Sequence, residues 1–324
     1  MDTLTLTWRA LTQADVPVLT RLLAAAEAVD DTGEHYGESD VTDELADMGD
    51  GLTRDTLAAV GPDGELLGYA ATRWSPEVRD VDRIYLDGTV LPAARGRGLG
   101  RQLLEWGERR AGELHRDRHP TVPGAITLGV PETAPSREAL ARAAGFQPER
   151  WWYDMRRNLG TAAPERPPVP DGLALVRYDR ERDAALRRAH TEAFAGHWGS
   201  TPPDLQRWNH WYTGSQAFQP ELSWLVLDGE EIAGYLNSYF YAADAAATGV
   251  EEGYIGQVGV RERWRRRGLG ALLLAAALSG FAEAGYGRAA LTVDTGNATG
   301  ALGLYERAGF TVAHRSVTWA KPLD

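Results

Sequence analysis

The chain has 324 residues, a formal net charge of −12 and no cysteine. The missing cysteines exclude disulfides, thiolate metal sites and an enzyme thioester, and the acidic balance argues against general nucleic-acid binding. The length suits two domains at roughly 100–200 residues each. No apolar run approaches the roughly 20 residues of a membrane span, and the Met1–Leu11 segment lacks the basic flank of a signal peptide, so a cytoplasmic protein without a metal is expected.

In chain order, periodicity predicts a strand near 3–10, a helix near 13–29 and a helical piece near 40–49. Strands near 54–61 and 65–75 are joined by Pro62-Asp63-Gly64, a strong turn signal. A strand near 82–91, a helix from 98 to about 114, a strand near 126–130, a helix near 136–144 and a strand near 146–157 complete the first half. The prolines of Gly160–Gly172 disfavour helix and inner strand, so 160–170 is expected to be a stiff linker. The second half repeats the order: strand 173–178, helices 181–195 and 203–213, strands 222–228, 231–242 and 253–260, helix 268–284, strand 288–294, helix 298–308 and strand 310–320. Mixed strands and helices with hairpins predict an α+β fold, a mixed sheet flanked by helices in each half.

The halves share landmarks. Arg95-Gly96-Arg97-Gly98-Leu99-Gly100 recurs as Arg265-Arg266-Arg267-Gly268-Leu269-Gly270, each between a strand and a helix. Asp63-Gly64-Glu65 is echoed by Asp228-Gly229-Glu230, and Gly145-Phe146 by Gly309-Phe310. Landmarks in one order indicate a duplicated domain, with boundaries expected at 1–159 and 171–324. A glycine loop opening a helix presents backbone N–H groups to an anion, and arginine adds charge-assisted hydrogen bonds. A nucleotide P-loop fails here, because Arg101 and Ala271 stand where Lys-Ser/Thr is needed. A dinucleotide fingerprint fails too, because Arg101 and Leu273 fall at its third glycine. A solvated basic turn is the plain alternative for a single copy.

With these loops and the segment Asn297-Ala-Thr-Gly-Ala-Leu-Gly-Leu-Tyr305-Glu-Arg-Ala-Gly309-Phe310, the chain resembles the GNAT superfamily of N-acetyltransferases in tandem. The resemblance implies acetyl-CoA as donor and two GNAT-like domains, each with a mostly antiparallel sheet. It implies that the loops cradle pyrophosphate through Arg265, Arg266, Arg267, Gly268, Leu269, Gly270 and Ala271, and through Arg95, Gly96, Arg97, Gly98 and Gly100. Gln257, Val258, Gly259 and Val260 would carry the pantetheine arm on strand backbone, with an N–H near Val258 polarising the thioester carbonyl. Asn297 would bond the pantetheine, or else cap a helix.

The resemblance also gives Tyr305 the role of proton donor to the departing thiolate. The equivalent first-half positions are Ala141 and Thr133, so the first domain is expected to be catalytically degenerate. A carboxylate before the loop often serves relatives as base. Alternation puts Glu252, Tyr254, Gly256 and Val258 on one face, with Tyr254 at that carboxylate's place. Glu252 is the candidate base or a solvated strand end, and Asp294 is the weaker alternative. Phe194, His197, Trp198, Trp208, His210, Trp211, Tyr212 and Phe218, with Tyr239–Tyr241, form either an acceptor pocket or a small core. The expected activity is direct transfer of acetyl to a small-molecule primary amine by a monomer or homodimer, without nucleic acid or membrane. A non-enzymatic acyl-CoA sensor is the other reading.

Overall fold

A computed structural model describes residues 6–160, 166–297 and 300–323. Residues 161–165 of the expected linker, the first residues of the expected strand at 3–10 and the start of the expected helix at 298 lie outside the described residues. No described helix is long and apolar enough to cross a membrane.

The chain folds as two compact units, and they are not the two contiguous halves. One unit is Met1–Trp151 with His314–Asp324, and the other is Trp152–Ala313. The contiguous boundaries describe the repeat; the folded units exchange the closing strand of each repeat. Both closing strands follow a short helix and a Gly-Phe turn (Gly145-Phe146, Gly309-Phe310), so either can extend the same sheet. Which one does is a matter of long-range pairing, outside the reach of local periodicity.

The first unit holds β1 (Thr7–Arg9), α1 (Val16–Asp30), α2 (Glu38–Asp47), β2 (Thr56–Val60), β3 (Leu66–Arg73), β4 (Asp82–Val90), α3 (Leu99–Arg118), β5 (Gly124–Pro131) and α4 (Pro135–Ala143). β1 to β4 pair antiparallel in sequence, and β4 runs parallel to β5. β6 (Gln147–Asn158) leaves this unit for the other. The chain's last strand, running Thr311–Leu323, pairs antiparallel with β5 from Ser316 to Leu323 in its stead. Leu103, Leu104, Ala111 and Leu114 of α3 pack on Ile84 and Leu86 of β4.

The second unit continues with β7 (Leu173–Arg177), α5 (Asp183–Ala193), α6 (Leu205–Trp211), β8 (Trp224–Asp228), β9 (Glu231–Phe240), α7 (Ala242–Thr248), β10 (Glu252–Val260), α8 (Leu269–Glu283), β11 (Arg288–Asp294) and α9 (Ala301–Arg307). Its sheet runs β6-β11-β10-β9-β8-β7. β10 and β11 are parallel, and the β6–β11 pair is antiparallel from Arg288↔Asn158 to Asp294↔Trp152. α8 is buried almost all round, from Leu269 to Phe281, as a helix without a polar face requires. It covers one sheet face. α5 and α6 serve a second core built on Leu186, Trp208, Leu225 and Tyr235.

Candidate active site

The site of the second unit starts where two parallel strands part. β10 pairs with β11 only at Glu252, Gly253 and Tyr254. From Ile255 to Val260 it keeps its antiparallel ladder with β9, while its β11-facing edge carries no ladder among the described residues. An open strand edge of this kind accepts an extended, amide-bearing chain. It leads to the glycine loop. Gly268 sits at φ +78° before the first turn of α8, and Arg266 adopts φ +61°. A non-glycine residue in the left-handed region costs roughly 1–2 kcal/mol, and such strain gathers at functional sites. A Cβ at Gly268 would meet nothing within 4 Å, so conformation rather than space calls for glycine there. At Gly270 a Cβ would come within 3.2 Å of Leu304. That glycine lets α8 and α9 approach.

The motif arginines are braces. Arg265 donates from Nε to the Val260 carbonyl at 3.1 Å and from Nη2 to the Ala193 carbonyl at 3.0 Å. Arg95 does the same in the first unit, from Nε to Val90 O at 3.0 Å, and pairs with Asp30 at 2.6 and 2.8 Å. Their donors fasten the loop to the strand end and to a helix. Arg266, Arg267 and Gly268 of the same loop are exposed. Trp264 anchors the loop beneath, buried, with its indole N–H on Asp228 Oδ2 at 2.9 Å.

Alternation fails along β10. Its register shifts between Ile255 and Gln257, because Gly256 leaves room for the Tyr239 ring; a Cβ there would lie 2.4 Å from Tyr239 Cε2. Before the bulge, Gly253 and Ile255 face α8; after it, Val258 and Val260 do. Glu252 and Tyr254 therefore do not share a face with Val258, contrary to the period-two expectation. Gln257 joins the Tyr254 side, where its Oε1 accepts from Tyr239 Oη at 2.8 Å and Asn237 Nδ2 at 3.1 Å. Gly259 lies under the Tyr235 ring.

Tyr305 of α9 is buried, edge-to-face on Phe310 at 6.2 Å. Burial, reinforced by the neighbouring Tyr254 phenol, pushes its hydroxyl up to about 12. It stays protonated at neutral pH. Asn297 does not cap α9, whose N-cap is Gly300; it lies in the turn after β11, its N–H on the Asp294 carbonyl.

The sequence model of the acetyltransferase (GNAT) family matches residues 23–122 and 184–310. The chain belongs to this family. A mycothiol acetyltransferase of Nocardia farcinica is 29% identical over 99% of both chains, and one of Gordonia bronchialis is 33% identical over 73% of both. A GCN5-related N-acetyltransferase from Sphaerobacter thermophilus, 29% identical, superposes with a TM-score of 0.77 over 99% of this chain and 97% of its own. A tandem GNAT protein from the clavulanic acid biosynthesis pathway shares the fold, with a TM-score of 0.68 at 18% identity over 98% of both chains.

In this acetyltransferase Glu252 is poorly suited to take a proton from an amine. It is buried, hydrogen-bonded to Arg288, and 3.2 Å from Arg156 Nε. Two arginines engage it, so its carboxylate is committed to them. Glu252→Gln should destabilise the protein by about 2 kcal/mol in urea unfolding, because both partly exposed arginines lose their partner. Turnover per folded molecule should hold within about threefold, small beside the 10²–10⁴-fold scale of base removal. Asp294 is buried and caps its own turn, accepting from Gly296 N at 2.9 Å.

The aromatic stretch divides. Trp208 and Phe218 are core residues. Trp208 bonds Asp183 Oδ2 at 2.9 Å and stacks on Tyr212, and Phe194 stacks on His190. His197 and Trp198 instead gather on Trp152 of β6, at 6.5 and 5.9 Å. Trp152 escaped sequence reasoning because it belongs to the first repeat. Tyr239, Tyr241 and Tyr254 form a further chain of rings.

The first unit has its own gap. β4 and β5 pair only as far as Tyr85↔Thr127. A cavity of about 410 Å³ lies beyond, lined among others by Gly88, Val90, Gly98, Leu128 and Ala141. Ala141, buried on α4, stands where the second unit has Tyr305. Arg137 donates to the Gly88 carbonyl and so occupies part of the open strand edge.

Proposed function

We propose that the chain transfers acetyl from acetyl-CoA to a primary amine of a small molecule, by direct attack in a ternary complex in the second unit. The observation that carries this reading is the open edge of β10 between the glycine loop and the buried, protonated Tyr305. The residues fit the co-substrate. Loop N–H groups with Arg266, Arg267 and Gly268 suit a pyrophosphate. The backbone of Gln257–Val260 suits the amides of pantetheine. The N–H near Val258 suits the thioester oxygen as charge develops on it. Tyr305 donates a hydrogen bond toward the leaving sulfur. The first unit, with Ala141 in place of the phenol and Arg137 on its strand edge, supports binding without efficient catalysis. The similarity to mycothiol acetyltransferases makes small-molecule amines related to mycothiol the first acceptors to try.

The test is thiol release from acetyl-CoA across a panel of primary amines, followed with a colorimetric thiol reagent. The chain has no cysteine to add background. Amine-dependent release with acetylated acceptor is expected. Binding of acetyl-CoA without turnover on any amine would favour the acyl-CoA sensor.

A further inference from the structure

Three strands bring a connected set of hydroxyls and a carboxylate onto one sheet face of the second unit. Tyr254 of β10 donates from its phenol to Thr292 Oγ1 of β11 at 3.0 Å. Thr292 donates in turn to Asp154 Oδ1 of β6. The line crosses the sheet because β6, a strand of the first repeat, pairs with β11 in the register Thr292↔Asp154. Thr292 is exposed and Tyr254 and Asp154 are half-buried, so this face is open to a bound amine and to water. It lies on the side of β10 away from α8, with Tyr254 close enough to Tyr305 to affect its titration. The Glu252–Arg288–Arg156 cluster, by contrast, is closed on itself.

We propose that Tyr254, Thr292 and Asp154 form the proton exit for the acceptor ammonium, with Asp154 as the final base. The proposal rests on the acetyl-transfer reading of this site. The ammonium N–H gives its proton to the Tyr254 oxygen as the phenol proton passes to Thr292 and the threonine proton to the Asp154 carboxylate. The free amine then forms the C–N bond as the C–S bond breaks and the electron pair leaves on sulfur. Asp154, half-exposed, returns its proton to solvent. The relay needs both hydroxyls because each accepts and donates at once, and it gives the amine a base although Glu252 is committed. Tyr254 touches the substrate in this scheme; Thr292 and Asp154 act through it. Among the described residues, other ionisable groups on this face and around it include Arg156 on β6, Glu252 on β10, Arg288 and Asp294 on β11, Tyr239 and Tyr241 beside Tyr254, and His197 beside Trp152.

The experiment is the pH profile of kcat/KM from about pH 6 to 9.5, a window that spans the deprotonation of an amine. It uses saturating acetyl-CoA and whichever primary amine of the panel turns over fastest, for the native chain and for Asp154→Asn, Thr292→Val and Thr292→Ser. With the relay cut, the reaction depends on amine already deprotonated in solution. Asp154→Asn and Thr292→Val should therefore lose about 10- to 100-fold at about pH 7, within the range of base catalysis. They should recover most of that by about pH 9.5, moving the midpoint of the limb that rises with pH up by about a unit or more, while Thr292→Ser stays near the native profile. Affinity for acetyl-CoA, measured by calorimetry, should not change. A loss equal at every pH would mark a purely structural role and overturn the relay, as would an unshifted profile. No turnover by the native chain on any amine would overturn the acetyl-transfer reading and the relay together.

Discussion

Tyr305→Phe should lower kcat by roughly one to three orders of magnitude, the scale of losing a general acid or its hydrogen bond, while acetyl-CoA affinity and thermal stability stay close to native. Phenylalanine keeps the buried packing and the edge-to-face contact with Phe310, so the change isolates one hydroxyl. Its chemistry follows from its environment. A hydroxyl pushed up to about 12 is a weak acid beside a thiol of ordinary acidity near about 8.5. Full proton transfer to the thiolate is then uphill by roughly 5 kcal/mol. On the proposed acetyl-transfer reading, Tyr305 should therefore act by donating a strong hydrogen bond while sulfur gains charge, with the thiolate taking its proton later from water. The pH profile of Tyr305→Phe should keep the native shape below about pH 10, only lower. Stopped-flow and steady-state thiol release separate the chemical step from product release; an unchanged chemical rate would remove the tyrosine from the mechanism.

The sequence exposed what is local and hid what is distant. Helices and strands came through within a few residues because their apolar periods are continuous, as in α8 and β11. α7 falls between the expected strands 231–242 and 253–260, although its alanine run and Gly249 at φ +69° are ordinary helix and C-cap signals. The bulge at Gly256 had one signal, glycine inside a strand pattern, but β10 carries three, Gly253, Gly256 and Gly259, and the sequence alone does not single one out. Without that bulge, strict alternation puts Glu252 on the face of Val258 and makes it the candidate base. Gly96, Gly98 and Gly268 were readable because left-handed backbone requires them, whereas the role of Arg95 and Arg265 as braces depends on carbonyls of neighbouring elements. Asp154 and Trp152 had no sequence signal toward the second site. They reach it through a strand exchange between two repeats that read alike, and Asp154 meets Thr292 across 138 residues of chain.

Stability should fall by about 3 kcal/mol between about pH 7 and pH 4 on account of His190 alone. The imidazole is buried in the second unit, 3% exposed, stacked on Phe194 and edge-on to Tyr212. Its Nδ1 accepts from the Tyr235 hydroxyl at 2.5 Å, an assignment that suits the neutral ring. Burial first, and the nearby His197 second, bring it down to about 4 from 6.5. The folded protein thus holds the ring neutral, while the unfolded chain protonates below about pH 6.5. Between these values the unfolded state binds more protons, so stability rises with pH and is lost as pH falls from about 6.5 toward 4. Urea unfolding at intervals through this window would measure it. Carboxylates titrate at the acid end as well, so the reading is the difference between the native chain and His190→Gln, which retains an acceptor for Tyr235 but cannot take up the proton. That difference should be constant above about pH 7 and move by about 3 kcal/mol in favour of the variant by about pH 4. A difference that stays flat would mean that the ring finds a partner or water on protonation, and that the core on Trp208 and Tyr235 opens more readily than its packing implies.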